Sequence, residues 1–589
     1  MTRRTAARVA LLPSLLFLLL FARSLPYEFV WTDHTELEQG LVIRPPGAIL
    51  AALGEPMYRD VGAMPAGTTQ PYYRPVKVVV ASTVDLLFGR EPAAFRAVNL
   101  ALGAGAFALF AVLVNGLFRD PFVATVVAAV AAVHPAGIES AVWPSGLDEA
   151  LARFFVVASL AATVWSVGRR SEGQAWAGGV VALGCLALGL GSKEGAVTTP
   201  ALAAVCLLCA PHVAERRRTA FALLGAQVVV VVGFFFVLRP AVLGGFGAGA
   251  SPAGGSYGVH LLTVIASWPD RLAWLFAPFE STTSDVVPRV ESLLDPSLVL
   301  GLVLAVAAPL VSWRLWRLGY RLEALGWTWM WVAFLPMSGI VPLTHVRAER
   351  QMTLPVLGSA FFAATLVRVV SASARDERAR RSLALVVAVA TVGVLGWRTS
   401  VRVPDWQSDL SLFGADVARD PYYREGHFVL ATTHAEAGRY EDAREALLAL
   451  AAANDAFGSR VGFIRQEGAT RLFCEVNLEL GHETDTLELL GAQLAPDSPA
   501  LEAAPALFLC GARSLEGTGR PREALALYRA LYDAVGPDPR VVLGRARVHA
   551  ALGHENTARI WLRRTPETVR DDPRYAEDRR ALAIRLGLD

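Results

Sequence analysis

Four stretches of the chain carry ionisable side chains against an apolar background. Asp33 and His34 close the run Phe29-Val30-Trp31-Thr32-Asp33-His34. His134, Glu139, Asp148 and Glu149 follow further on, then the neighbours Lys193 and Glu194, then His345, Arg347, Glu349 and Arg350. Charged groups kept beside a membrane are expensive and are functional candidates by default. Carboxylates and cations gathered at one membrane face are the means of proton transfer and anion binding. Among 55 basic residues only Lys77 and Lys193 are lysines. A lysine beside an acid at a helix end suits a phosphate as a compact point charge. The alternative is drift in an arginine-biased chain.

These residues need a membrane-embedded frame, and the composition supplies one. The 589 residues are 54% hydrophobic and 18% charged, with a mean hydropathy of +0.41. Soluble domains carry about 25% charge. A net charge of +2 excludes a nucleic-acid binder built on bulk charge. Five cysteines are too few for a disulfide framework. Cys206 and Cys209 lie in an apolar run and read as small hydrophobes.

Apolar runs of spanning length, about 20 residues, predict about eleven crossings. They fall near residues 9–25, 93–118, 121–142, 149–168, 174–191, 195–212, 218–238, 296–313, 322–342, 351–371 and 382–399. The first reads as an uncleaved helix, since no small-x-small cleavage site follows it. With the Arg-rich N-terminus in the cytoplasm, Arg119, Arg169–Arg170, Arg216–Arg218, Arg314–Arg321 and Arg375–Arg381 all fall in cytoplasmic turns. Residues 26–75 then form a first outer loop, the stretch 261–278 is interfacial or re-entrant, and an odd span count places the tail outside. All the ionisable candidates then share the outer side. The glycine-rich segment 244–259 has no strand before it and reads as an outer loop.

Beyond Pro404 the pattern turns soluble and helical. Gly438, Gly481, Gly519 and Gly553 each follow an amphipathic helix, and Ala443, Thr486, Ala524 and Ala558 come five residues later. Glycine makes the tight turn and the small residue lets two helices approach, as in tetratricopeptide repeats. The repeats predict a concave groove for a peptide or protein partner. Cys474 and Cys510 fall in neighbouring repeats, where a disulfide is permitted. The predicted fold is all-α, a polytopic bundle over 1–403 followed by an extracytoplasmic α-solenoid over 404–589.

The chain resembles the membrane O-mannosyltransferase-like proteins with C-terminal tetratricopeptide repeats, in the wider GT-C glycosyltransferase group. The resemblance rests on ordered segments: Phe29 to His34, then Tyr73-Arg74-Pro75, then Asn99. Val133-His134-Pro135 with Ile138-Glu139-Ser140 and Trp143 follows, then Gly191-Ser192-Lys193-Glu194 and Ala348-Glu349-Arg350 with Leu354-Pro355. Trp406-Gln407 and Leu412-Phe413 resemble the lead into the repeats. Two departures stand out. His34 replaces the second of the paired first-loop acids, and Gly146-Leu147-Asp148-Glu149 replaces Glu-Arg-Lys-Asp. Glu149 keeps the final acid, but the basic pair is missing.

The resemblance implies transfer of a sugar, mannose or a similar hexose, from a polyprenyl-phosphate donor to an acceptor hydroxyl, on protein, at the outer face of a bacterial-type cytoplasmic membrane. A carboxylate takes the acceptor's proton, and cations stabilise the leaving phosphate. Asp33 is the candidate base, with a loop cap as the alternative. Glu139 and Glu149 are further catalytic candidates, Glu139 to orient the Asp33 loop. Lys193, Arg347 and Arg350 are candidates for the phosphate, though either arginine could instead anchor a helix end. His34, His134, Asp148, Glu194 and Glu349 support them, His134 structurally. No protein metal ligand is assigned, and metal dependence is left open. The competing class is a non-catalytic, membrane-anchored repeat scaffold derived from such an enzyme. A transporter fits less well, because the polar residues gather at one surface and not at mid-membrane.

Overall fold

The computed structural model describes residues 3–59, 72–210, 216–245, 252, 256–284, 286–287, 290, 292–343, 345–457, 466–490, 494–498, 501, 504–566 and 573–588. Among them the regular structure is entirely helical. Two compact units divide the chain, one running to Gly426 and the other beginning at His427.

Helix starts in the first unit follow local chemistry. Proline occupies the first turn at Pro75, Pro92, Pro121 and Pro296, where its missing N–H has no helical acceptor to lose. Asp120, Asp295 and Asp376 accept backbone N–H bonds as N-caps. Among the described residues seven helices are long and apolar enough to cross a membrane: Ala6–Ser24, Pro92–Phe118, Pro144–Val167, Glu172–Leu190, Arg217–Leu243, Pro296–Leu318 and Glu377–Gln407. Three of them, Arg217–Leu243, Pro296–Leu318 and Glu377–Gln407, have only 17% of their apolar window buried. The first two expose Phe221, Val229, Phe236, Val303 and Val306, a surface suited to lipid.

The other four predicted crossings take different forms, each with a proline at the break. The stretch 121–142 bends by 62° between Pro121–Val133 and Pro135–Val142. Pro135 forces His134 into an extended conformation, φ −70° and ψ 138°. Glu194–Cys209 and Pro355–Ser371 are shorter apolar helices. Arg321–Phe334 has 14 residues, and a 3-10 turn containing Pro336 follows it. The stretch near 261–278, read as interfacial or re-entrant, is mostly one helix, Tyr257–Trp274, continuous through Pro269. Gly301 packs closely on the Ile265 carbonyl, which Pro269 leaves without its helical partner. Within the glycine-rich segment, 246–251 and 253–255 lie outside the described residues.

The described part of the first loop is a packed element. Phe29, Leu37, Val42, Met57 and Tyr58 form a core with Val78 and Ala81 of helix Pro75–Phe88, and with Phe95 and Leu147. The expected boundary after residue 403 is not where packing divides, because residues 404–426 belong to the first unit. There Trp406, Leu412 and Phe413 are buried, and Thr283 donates to Asp416 at 2.6 Å.

In the second unit the predicted glycines take the left-handed conformation, with φ of 71° at Gly438, Gly481 and Gly519 and 77° at Gly553. Each separates two helices, as Gly519 separates Pro505–Gly517 from Pro521–Val535. Ala443, Thr486, Ala524 and Ala558 are fully buried, so no larger side chain fits at these crossings. Cys474 and Cys510 are disulfide-bonded, their Cα atoms 6.3 Å apart. The remaining cysteines, Cys185, Cys206 and Cys209, are free thiols. The denatured, unreduced chain is therefore expected to titrate with three thiols and the reduced chain with five. Five thiols before reduction would contradict the pairing.

Candidate functional site

The first loop, the segment 139–149, the Lys193–Glu194 pair and the turn at Arg350 meet at one end of the first unit. Arg74, just ahead of Pro75, pairs with Asp148 at 2.6 Å and Glu194 at 2.8 Å. Lys193 bonds Glu149 and stands 3.7 Å from Asp148. Lys77 pairs with Glu36 at 2.7 Å, and the Tyr58 hydroxyl donates to the same carboxylate at 2.6 Å. Lys77 also attracts Asp148, which joins the loop pair to the rest.

Arg350 completes the network. Its Nη1 lies 2.9 Å from Glu139 Oε2, and its backbone N–H donates to Glu139 Oε1 at 3.2 Å. Its guanidinium also lies 5.2 Å from the Trp31 ring and 5.5 Å from the Trp143 ring. Those two rings stack on each other at 4.9 Å. Gly146 is required at the turn, since a Cβ there would approach the Glu139 carbonyl to 2.5 Å.

The turn at Trp143 is clamped from three directions. Arg96 donates to Val142 O at 2.8 Å, and also bonds the carbonyls of Tyr27 and Glu28. Asn99 donates to Trp143 O at 2.9 Å. Asp33 accepts from Ser145 N at 2.7 Å and from Val30 N at 3.1 Å. Asp33 is fully buried, and burial raises its pKa to about 7 against the pull of these bonds and of Arg96. Both oxygens accept backbone N–H bonds, the geometry of the loop cap given as the alternative to a base.

Trp31 has φ 59°, an uncommon conformation for a bulky residue. Its backbone N–H donates to Asp409 and its indole N–H to Glu425, both at 2.7 Å. His34 bridges Glu38 at 2.6 Å and Asp409 at 3.1 Å, and the Asp409 bond raises its pKa to about 9. His134 lies outside the network. It accepts from Ala136 N and faces Leu275 O, so it serves the bend. Glu349 turns away from Arg350, accepting from Ser281 Oγ and Thr282 N at 2.7 Å each. Withdrawal from water raises its pKa to about 8.

Arg347 joins no ion pair among the described residues. Glu36, Arg74, Lys77, Arg96 and Trp31 belong to the site although no role was assigned to them from sequence. For Lys77 the signal was present, since it is one of two lysines in the chain. Among the described residues no three His, Cys, Asp or Glu side chains are grouped to hold a metal ion. With five acids (Glu36, Glu139, Asp148, Glu149 and Glu194) against four paired cations, the network can orient and polarise a bound group without rearranging.

A tetratricopeptide-repeat family model matches residues 516–582, the stretch holding Gly519, Ala524, Gly553 and Ala558. No curated protein and no solved structure matches the chain.

Two outcomes follow from the geometry. Arg350→Ala leaves Glu139 buried and unpaired, and is expected to destabilise the protein by about 3–5 kcal/mol. An unchanged melting temperature in detergent would contradict a structural role for the pair. Glu349 contributes stability that is complete below its ordinary pKa of 4.5 and is lost as pH rises through about 8. Gln at this position keeps both hydrogen bonds, with Ser281 Oγ turning acceptor. Glu349→Gln is therefore expected to melt like the parent at pH 4 and increasingly above it as the pH rises toward 9. Parallel melting profiles would refute the assignment.

Proposed function

We propose that the protein is a membrane glycosyltransferase moving a hexose from a polyprenyl-phosphate donor to an acceptor hydroxyl, with repeats that recruit the protein carrying that hydroxyl. One observation carries the reading. Glu139, Asp148, Glu149, Lys193, Glu194 and Arg350, singled out from separate stretches of sequence, form one ionic network with Arg74 of the first loop. Helix-end anchors with no shared task need not converge.

In this reading the base passes from Asp33 to Glu149. Lys193 engages Oε1 of Glu149, and no described residue bonds the other oxygen. Inversion at the sugar carbon needs a carboxylate within hydrogen-bond reach of the acceptor hydroxyl. Lys193 would hold Glu149 in place, while Asp33 holds the Trp143–Gly146 turn on which both depend. Of the three expected phosphate ligands, Lys193 and Arg350 are committed to carboxylates, and Arg347 is left. Outward-facing repeats agree with the Cys474–Cys510 disulfide, since such bonds persist in oxidising compartments.

The burial of Asp33 favours a second reading, a repeat scaffold on a core that has lost catalysis. Transfer assays with a polyprenyl-phosphate hexose separate the two. Glu149→Gln is expected to lose about 10²–10⁴-fold in turnover while melting near the parent temperature. Asp33→Asn cannot accept both backbone N–H bonds and is expected to lower the melting temperature. Full turnover in Glu149→Gln would remove it as base, and no turnover by the parent with any polyprenyl-phosphate hexose favours the scaffold.

A further inference from the structure

Every cation of the network described above faces a carboxylate, so the network has no spare charge for a phosphate. Two other arginines of the same unit do. Arg271, in helix Tyr257–Trp274, is 4% exposed. Its guanidinium donates to Ser338 O at 3.1 Å, to Met337 O and to Gln351 Oε1 at 2.6 Å. Its buried Nε has no acceptor, and the Phe334 ring lies 4.7 Å away. Arg347 is partly buried and makes neither a hydrogen bond nor an ion pair among the described residues. No carboxylate of the described residues pairs with either.

Gln351 holds the two together. It accepts from Arg271 and from Ala348 N at 3.3 Å, and donates to His345 O at 3.0 Å. The turn that carries Arg347 is thereby tied to Arg271 through Gln351, which bonds both Arg271 and the N–H of Ala348, the residue after Arg347. A buried cation without a counter-ion is destabilising, and a second one beside it adds to the penalty. An arriving anion removes it. Arg347 can offer a guanidinium fork, which matches phosphate oxygens two at a time, and Arg271, whose Nη atoms are bonded, adds its charge.

We propose that Arg271 and Arg347 form a phosphate-binding pair, positioned by Gln351 and filled by the phosphate of a lipid-borne donor. The lipid source rests on the transferase reading, whereas the anion site rests on the uncompensated charge alone. Arg350 takes no part, because Glu139 already neutralises it.

The test is binding to the full chain in nanodiscs, with three probes: a long-chain polyprenyl phosphate, the corresponding uncharged polyprenol and inorganic phosphate. The parent is expected to bind the polyprenyl phosphate and not the polyprenol. Arg347→Gln should weaken that binding at least about tenfold, the loss of a charge-assisted contact. Arg347→Lys should recover only part of it. Gln351→Leu frees the turn and should weaken binding while leaving Arg347 present. Inorganic phosphate that binds in its place, with the same dependence on Arg347, supports the anion site and assigns it to free phosphate. Equal binding of polyprenol and polyprenyl phosphate, or affinity unchanged by Arg347→Gln, overturns the pair. Phosphate binding without hexose transfer would leave the pair standing and remove the transferase reading, so the two failures are distinguishable.

Discussion

The ion pair between Arg350 and Glu139, enclosed by the rings of Trp31 and Trp143, is the contact on which the candidate site of the first unit depends. It joins three segments distant in sequence: the first loop, the turn after Glu139 and the turn that begins helix Pro355–Ser371. A buried pair of this kind adds little net stability compared with an apolar substitute, but losing one partner strands a charge. Its value is in register. Neither Trp31 nor the turn at Gly146 can shift without opening it. The backbone of Trp31 sits at φ 59°, a conformation of the kind that costs of order 1–3 kcal/mol and persists only where its surroundings over-determine it. Asp409, Glu425, Trp143 and Arg350 do so together.

Around that contact, charge is arranged by balance. Arg74 divides its guanidinium between Asp148 and Glu194, Lys193 lies against Asp148 and Glu149, and Lys77 against Glu36. Such a network holds its side chains in fixed positions, as a reaction needs when charge develops suddenly. It also leaves the network no cation for a phosphate. The surplus positive charge stands at Arg271, held by carbonyl oxygens and an amide, and at Arg347 on the neighbouring turn. Balanced charge for positioning and unbalanced charge for binding is a division of labour that follows from electrostatics alone.

The glycine and small-residue pattern of the repeats was legible in the sequence because each position answers a local demand. Gly519 must be left-handed and Ala524 must be small, whatever surrounds them. The grouping of Glu139, Asp148, Glu149, Lys193 and Arg350 was legible through sidedness, since charge is costly near a membrane wherever it has no purpose. Partner choice was not legible. Sequence does not show that Arg350 turns to Glu139 while Glu349, its neighbour, turns to Ser281 and Thr282. The burial of Asp33 was equally hidden, because it follows from Arg96 and Asn99 drawing the Val142–Trp143 turn toward the loop. The continuity of helix Tyr257–Trp274 through Pro269 was hidden for a related reason. The cost of a proline in a helix is set by what meets the freed carbonyl, here Gly301, which no local pattern reveals.

The central claim is that the network and its neighbouring arginines surround the head of a lipid-linked sugar. The most direct measurement is photocrosslinking with a polyprenyl-phosphate hexose carrying a diazirine on the sugar, followed by mapping of the labelled peptides. The account predicts label within residues 143–149, 191–196 and 345–351, displaced by excess unlabelled donor and not by polyprenol. Label confined to the apolar helices Arg217–Leu243 and Pro296–Leu318, or label that unlabelled donor does not displace, would contradict it.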